Sequence, residues 1–191
     1  MAISEKRQEI LEAALELITE HGFHGAPIAA IAERAGVGAG TIYRYFANKD
    51  VLIIELFQGL HDKICKEILA KYEVERTFRE RFLHLSTALL RYFITHPQEF
   101  RYLEQYHNSP YGIAFRREKI LGNGGERAPY RLLFEEGVAQ QVVRDLPLVV
   151  LFALTFGPLL AVARDHILGV VVLDEQVLVQ TVEACWESIK R

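Results

Sequence analysis

From Ile10 to Ile189 the apolar side chains recur at three- and four-residue spacing, and no stretch alternates convincingly at period two. Only a 3.6-residue turn gathers positions so spaced onto one face, so a chain with this rhythm folds as packed helices. In the opening segment Ile10, Ala14 and Leu17 make one stripe and Leu11, Leu15 and Ile18 the adjoining one. Glu9, Glu12 and Glu16 occupy the other side, as in an amphipathic helix facing a core. Ser4 stands where it can cap this helix and Gly22 where it can end it. Pro27 opens a short helix over residues 28–35, which Gly36 stops. A third helix is expected over 39–46. Asn48 then caps a long fourth, which carries Val51, Leu52, Leu56, Leu60 and Ile64 on its apolar side and runs to about residue 72.

Beyond residue 75 the pattern predicts helices over 78–95, 97–106, 128–139, 146–168 and 174–189. Asn108-Ser109-Pro110-Tyr111-Gly112 reads as a turn and Gly122-Asn123-Gly124-Gly125 as a loop. The run from Val170 to Leu173 has strand-type residues but no partner, so it is taken as a connector or a continued helix. From Leu146 to Ala163 there is no charge over 18 residues, near the lower limit for a membrane span. Pro147, Gly157 and Pro158 interrupt that stretch and Arg164-Asp165-His166 follows it, so a buried helix is the expectation rather than a span.

With 191 residues the chain can bury a substantial core, and 22 basic against 25 acidic side chains give a formal charge of −3. No global positive field would hold such a chain on nucleic acid or anionic lipid, although a local basic face stays open. Cys65 and Cys185 are too few and too far apart for a staple framework, and no uninterrupted apolar signal core opens the chain. Two reduced, buried thiols in a cytoplasmic protein are expected. His61 and Cys65 lie one turn apart, but neither an HExxH nor a CxxC motif exists, and seven histidines show no recurring spacing. The glycine-rich 122–125 stretch lacks the preceding strand and the spacing of a phosphate loop. No metal, no cofactor and no enzymatic centre are expected.

The first fifty residues carry the chemistry. Two short helices separated by Gly36-Val37-Gly38 have the form of a helix-turn-helix, with Ile31, Ala32 and Val37 packing them together. The second presents Thr41, Tyr43, Arg44 and Tyr45, polar groups long enough to reach into a major groove, while Ile42 and Phe46 turn back to the core. Gly22-Phe23, Ile31-Ala32, Ala35-Gly36-Val37 and Gly40-Thr41-Ile42-Tyr43-Arg44-Tyr45-Phe46, followed by Asn48-Lys49-Asp50, resemble the DNA-binding domain of the TetR family of transcriptional regulators over residues 8–56.

The resemblance implies a role for each matching position. Ala39 and Gly40 would meet base edges. Thr41, Tyr43 and Tyr45 would touch phosphates or bases, and Lys49 would contact phosphate. Arg44 would lie on the groove-facing side, where its fork can bond O6 and N7 of guanine together. Ala26-Pro27 and Gly38 depart from the family's pattern, since a hydroxyl is common at each place and could cap a helix or bond phosphate. Residues 1–50 hold five basic side chains against seven acidic, most of the acids on the first helix, so one copy should bind DNA weakly. A two-fold dimer would supply the rest.

For residues 51–191 the resemblance implies a helical ligand-binding and dimerisation domain following a DNA-binding domain of residues 1–50. Leu178, Val182, Cys185 and Ile189 form an apolar stripe, and the resemblance suggests that the last two helices pair with their copies in a four-helix interface. Tyr92, Phe93, Phe152 and Phe156 are the expected walls of an apolar chamber for a small apolar or aromatic effector. The expected function is a homodimeric one-component regulator, a repressor that such an effector releases from operator DNA, with the fourth helix coupling the two events. A helical ligand- or lipid-binding module, or a small enzyme without specific DNA binding, is the rival reading.

Overall fold

The computed structural model describes residues 2–121 and 129–191, with side chains from Glu5 to Arg117 and from Pro129 onward. Among these residues lie ten helices and no strand: α1 (Ala2–Gly25), α2 (Ile28–Arg34), α3 (Ala39–Tyr45), α4 (Lys49–Ile68), α5 (Phe78–Thr95), α6 (Pro97–His107), α7 (Pro110–Leu121), α8 (Pro129–Ala139), α9 (Leu148–Ile167) and α10 (Glu175–Ile189). The all-α expectation holds. Packing gathers them into two units, one of residues 1–62 and 98–116, the other of residues 63–97 and 117–191. The expected 122–125 loop lies outside the described residues.

The first unit is organised by the two stripes of α1. Ile10, Leu11, Ala14, Leu17 and Ile18 are buried, with Ile31, Ala32, Ile42, Phe46, Leu52, Ile53 and Phe57. The first helix begins at Ala2, so Ser4 lies within it rather than capping it, and Gly22, with φ of 74°, breaks its helical geometry as the sequence suggested. Asn48 Oδ1 accepts from the amide of Val51 at 2.9 Å and caps α4.

Of residues 108–112, expected as a turn, Asn108 and Ser109 do form one, whereas Pro110, Tyr111 and Gly112 open α7. Pro110 is suited to a first helical turn, where its missing N–H has no partner to lose, and the Gly112 amide donates to the Ser109 hydroxyl at 3.4 Å. The helix pair α6–α7 is tied into this unit by three side chains. Tyr102 donates to the Ile53 carbonyl at 2.7 Å, Gln105 to the Thr19 carbonyl at 3.3 Å, and Tyr111 to the Asp50 carboxylate. Aromatic rings fill the space between: Phe57 stacks on Tyr106 at 3.9 Å and meets Phe115 edge-on at 4.8 Å. His107 lies against the edge of Phe57, and burial, with smaller contributions from Arg116 and His61, pushes its imidazolium pKa down to about 4.

In the second unit α5, α8, α9 and α10 pack on one another. Thr77 and Glu80 form a capping box at the start of α5, each satisfying an amide at the other's position. Asp174 caps α10, accepting from the Val177 amide at 2.8 Å. The core is aromatic and aliphatic: Phe78, Phe82, Leu85, Leu89, Leu133, Phe134, Leu159 and Trp186 are all buried. Arg81 pairs with Glu136 at the edge of this core, and hydrogen bonding to that carboxylate holds the guanidinium charged. Residues 170–173, expected as a connector or a continued helix, are neither helix nor strand and so form a connector.

Candidate nucleic-acid interface

The turn between α2 and α3 depends on Gly36, whose φ of +64° is a region L side chains rarely adopt. Around it the Val37 amide reaches the Ala32 carbonyl at 2.9 Å and the Gly36 amide reaches Glu33 at 3.1 Å, closing the end of α2. The chain then enters α3 through Gly38, which offers no side-chain cap, as the missing hydroxyl there implies. Ile42 and Phe46 are fully buried and fix the rotation of α3 about its axis. That rotation leaves Gly40, Tyr43 and Arg44 on the uncovered side, with Tyr43 55% exposed, and places Thr41 and Tyr45 half-buried on the flanks. Ala39 is exposed at the first turn. A Cβ built at Gly40 meets nothing within 4 Å, so its absence leaves the backbone of α3 open to close approach.

The cations around this face are almost all engaged. Arg7 pairs with Glu55 and lies 5.2 Å over the Phe46 ring. Lys6 pairs with Glu9, and Arg34 with Glu16 at 2.8 Å and Glu20 at 3.7 Å. The acids of α1 therefore do more than face away from α3. They hold two basic residues of the same unit.

Lys49 sits at the start of α4, half-buried, with its ammonium donating to the Phe23 carbonyl. Burial lowers its pKa, partly offset by Asp50. Asp50 in turn accepts from Tyr111, and that bond, with burial, raises the tyrosine hydroxyl to about 12. Sequence reasoning found Lys49 but not its tether, because the Phe23 carbonyl and Tyr111 are distant in the chain. Among the described residues of α1 to α3, Arg44 alone of the basic side chains has no partner.

The second group of expected residues lies in the second unit. Phe152 and Phe156 stack at 5.5 Å and form one cluster with Phe134 and Tyr130, at 5.4 and 4.7 Å. Tyr92 and Phe93 are buried on α5, where Tyr92 stacks on His96 at 4.2 Å.

Leu178, Val182, Cys185 and Ile189, the expected interface stripe, are no more than 2% exposed within the single chain. Side chains already covered by their own unit have no area left to offer a second copy, so this stripe is core. Other apolar positions are left uncovered: on α9 Val149, Val150, Ala153, Gly157, Pro158 and Ala161, on α10 Val179, on α8 Leu132, and in the connector after α9 Leu168 and Val170 to Val172. Helix α9 is long and apolar enough to cross a membrane, yet Leu151, Thr155, Leu159 and Ala163 give it one buried face. The expectation of a helix covered all round is met on that face only.

No group of three or more metal-ligating side chains exists among the described residues. His61 is half-buried against Phe57 and Phe115. Burial raises the Cys185 thiol to about 11, which leaves it protonated and unreactive.

Comparison with known proteins extends the resemblance to nearly the whole chain. Residues 10–56 match the profile of bacterial regulatory proteins of the tetR family, and residues 77–190 match a tetracyclin repressor-like C-terminal domain. A fatty acid metabolism regulator protein of Bacillus subtilis is 47% identical over 76 residues, covering 40% of this chain and 39% of that protein. The repressor KstR of Rhodococcus jostii is 43% identical over 63 residues, 33% of this chain and 30% of its own. The chain thus spans less than half the length of these curated relatives. A TetR family transcription regulator from Marinobacter aquaeolei VT8 superposes with a TM-score of 0.85 at 22% identity, over 100% of this chain and 99% of that one. A putative TetR family regulator from Vibrio parahaemolyticus does so at 0.76 and 29% identity, over 97% and 99%.

Proposed function

The chain belongs to the TetR family of bacterial regulatory proteins, non-enzymatic regulators that bind DNA, and from that premise we propose that it is a cytoplasmic homodimeric repressor released by a small apolar or aromatic effector. The observation that carries the proposal is the uncovered side of α3, where Gly40, Tyr43 and Arg44 stand free while Ile42 and Phe46 anchor the helix. Arg44 reads a base edge, its planar fork matched to guanine. Thr41, Tyr43 and Tyr45 donate to phosphate oxygens, and Ala39 and Gly40 let the backbone come close. Lys49 adds a phosphate contact once DNA draws its ammonium from the Phe23 carbonyl.

One such face holds DNA weakly, because its neighbouring cations are spent on carboxylates of the same unit. Two copies supply the missing contacts, and the uncovered aliphatic side of α9, with Val179 of α10, is the surface that joins them. Ala153, Gly157 and Ala161 recur every fourth residue there, and a Cβ at Gly157 meets nothing within 4 Å, so two such helices can pack closely. A binding chamber beside Phe152 and Phe156 adjoins the same helix, so an effector there acts on the dimer's own contact surface. Release needs only that the effector bind the DNA-incompetent state more tightly than the competent one. The chain passes between the two units within α4, at the α5–α6 junction and within α7, so α4 is one of three routes for that coupling.

The test is a gel-shift titration of the protein with the DNA upstream of its own coding region. A shift that survives non-specific competitor and weakens with salt is expected. Absence of any such shift on promoter-proximal fragments would sink the repressor reading in favour of a ligand-binding module.

A further inference from the structure

The core of the second unit contains hydroxyls that its fold does not use. Ser86 of α5 and Thr155 of α9 are fully buried, and Tyr130 of α8 is 4% exposed. The Thr155 hydroxyl finds no hydrogen-bond partner, although a buried polar group ordinarily has one. The Ser86 oxygen accepts from Tyr130 at a long 3.3 Å, the one bond found for that hydroxyl among the described residues. These groups belong to one neighbourhood. Cys185 of α10 donates to the Thr155 carbonyl at 3.6 Å, and the Tyr130 hydroxyl lies near the Cys185 thiol. The rings of Phe134, Phe152 and Phe156 stand against Tyr130 and one another, and Phe152 and Phe156 keep part of their surface exposed, so they can turn without emptying the core.

The neighbourhood is also uncharged. Burial raises the Tyr130 hydroxyl and the Cys185 thiol, which keeps both protonated, and no Lys, Arg, His, Asp or Glu contributes to either shift. At the edge of the core Arg81 is neutralised by two bonds to the Glu136 carboxylate, although its Nε has no partner. A carboxylate or phosphate brought here would lose its water and gain no counter-charge, a cost that neutral hydroxyls do not offset. A neutral oxygen loses little and gains the protons that Ser86 and Thr155 have to give.

Resting on the effector reading above, we propose that the effector is a neutral apolar molecule carrying a carbonyl or hydroxyl oxygen, seated on Ser86 and Thr155 beside Phe152 and Phe156, and that it is not an acid. The ligand class follows from what the site lacks as much as from what it holds. Thr155 and Ser86 set the polar end, and the aromatic rings accept the apolar body at low directional cost.

The experiment uses the full chain and a matched pair of probes, 2-decanone and decanoate, with binding read by calorimetry and by the fluorescence of Trp186. Trp186 is the chain's one tryptophan and is packed 5.6 Å from Phe82. Saturable binding of the ketone, at least tenfold tighter than that of the acid, is expected. Thr155→Val, which keeps shape and removes the hydroxyl, should weaken the ketone about tenfold while leaving the melting temperature unchanged or raised, since it relieves an unpaired buried group. Ser86→Ala should act in the same direction. Equal or tighter binding of decanoate, no ketone binding, or a Thr155→Val protein that binds the ketone as before would each overturn the assignment. Gel shifts without any probe, run on the same proteins, report the DNA-binding reading separately, so the two can fail independently.

Discussion

Helices α3 and α9 each keep one side buried and leave the other uncovered by their own unit, and the two uncovered sides differ in kind. On α3 it holds a glycine, a tyrosine and an unpaired arginine, groups content in water and directional in their bonding. On α9 it holds valines, alanines and a glycine, which offer no hydrogen bond and gain only by leaving water, at about 25 cal/mol per Å² buried. The buried sides are alike, aliphatic and aromatic in both units. Function in this chain therefore resides in what the fold leaves uncovered: a polar edge suited to reading a polar groove, and an apolar edge suited to a second copy of itself.

The sharpest way to break that comparison is to attack the boundary between core and uncovered side. Leu178→Ala removes a side chain that is 2% exposed and should cost about 2–5 kcal/mol in urea unfolding at dilution. Were Leu178 an interface residue, dilute unfolding would be unchanged and only association would suffer. Gly157→Glu places a carboxylate on the uncovered side of α9 and should weaken self-association at least a hundredfold by sedimentation. Its helical circular dichroism should stay unchanged, because the new Cβ meets no atom of its own chain. Unaltered self-association would move the interface off α9.

Smaller effects separate the two units by chemistry. His107 is neutral in the folded chain, its pKa held down to about 4, whereas the unfolded chain takes up its proton near 6.5. Its contribution to stability is present above pH 6.5 and is lost as pH falls towards 4, by at most about 3 kcal/mol. His107→Phe should flatten thermal stability across that window. An unchanged slope would show that burial of His107 does not shift its titration. On α3, Arg44→Ala should cost about 1–3 kcal/mol of discrimination between operator and scrambled DNA, whereas Lys49→Ala should weaken both alike. Retained preference in the Arg44 variant would mean that Arg44 reads no base.

Periodicity and the Asn48 cap made the helices legible, because amphipathic spacing and a capping side chain act locally; the Thr77 and Asp174 caps emerged only in the structure. Fixed-spacing identities around Gly36 and Thr41-Ile42-Tyr43 made the helix-turn-helix legible too. Local signals did not say which surface a stripe is buried against. The 178–189 stripe reads the same whether its cover is α5 and α9 or another protomer, and here the cover is its own chain. Ser109-Pro110 supports a turn and a helix start equally well, and the packing of α7 decided between them. The tethers of Lys49 to Phe23 and of Tyr111 to Asp50 bridge residues 26 and 61 positions apart, beyond any short-range pattern.

If the two uncovered sides work together, the mass of the protein–DNA complex on a short duplex from the chain's own upstream region, read by native mass spectrometry, reports it. Two chains bound per site are expected, with Gly157→Glu shifting the population to free DNA although its α3 is intact. A stable complex containing a single chain, or a Gly157→Glu protein that binds as the unaltered protein does, would contradict it.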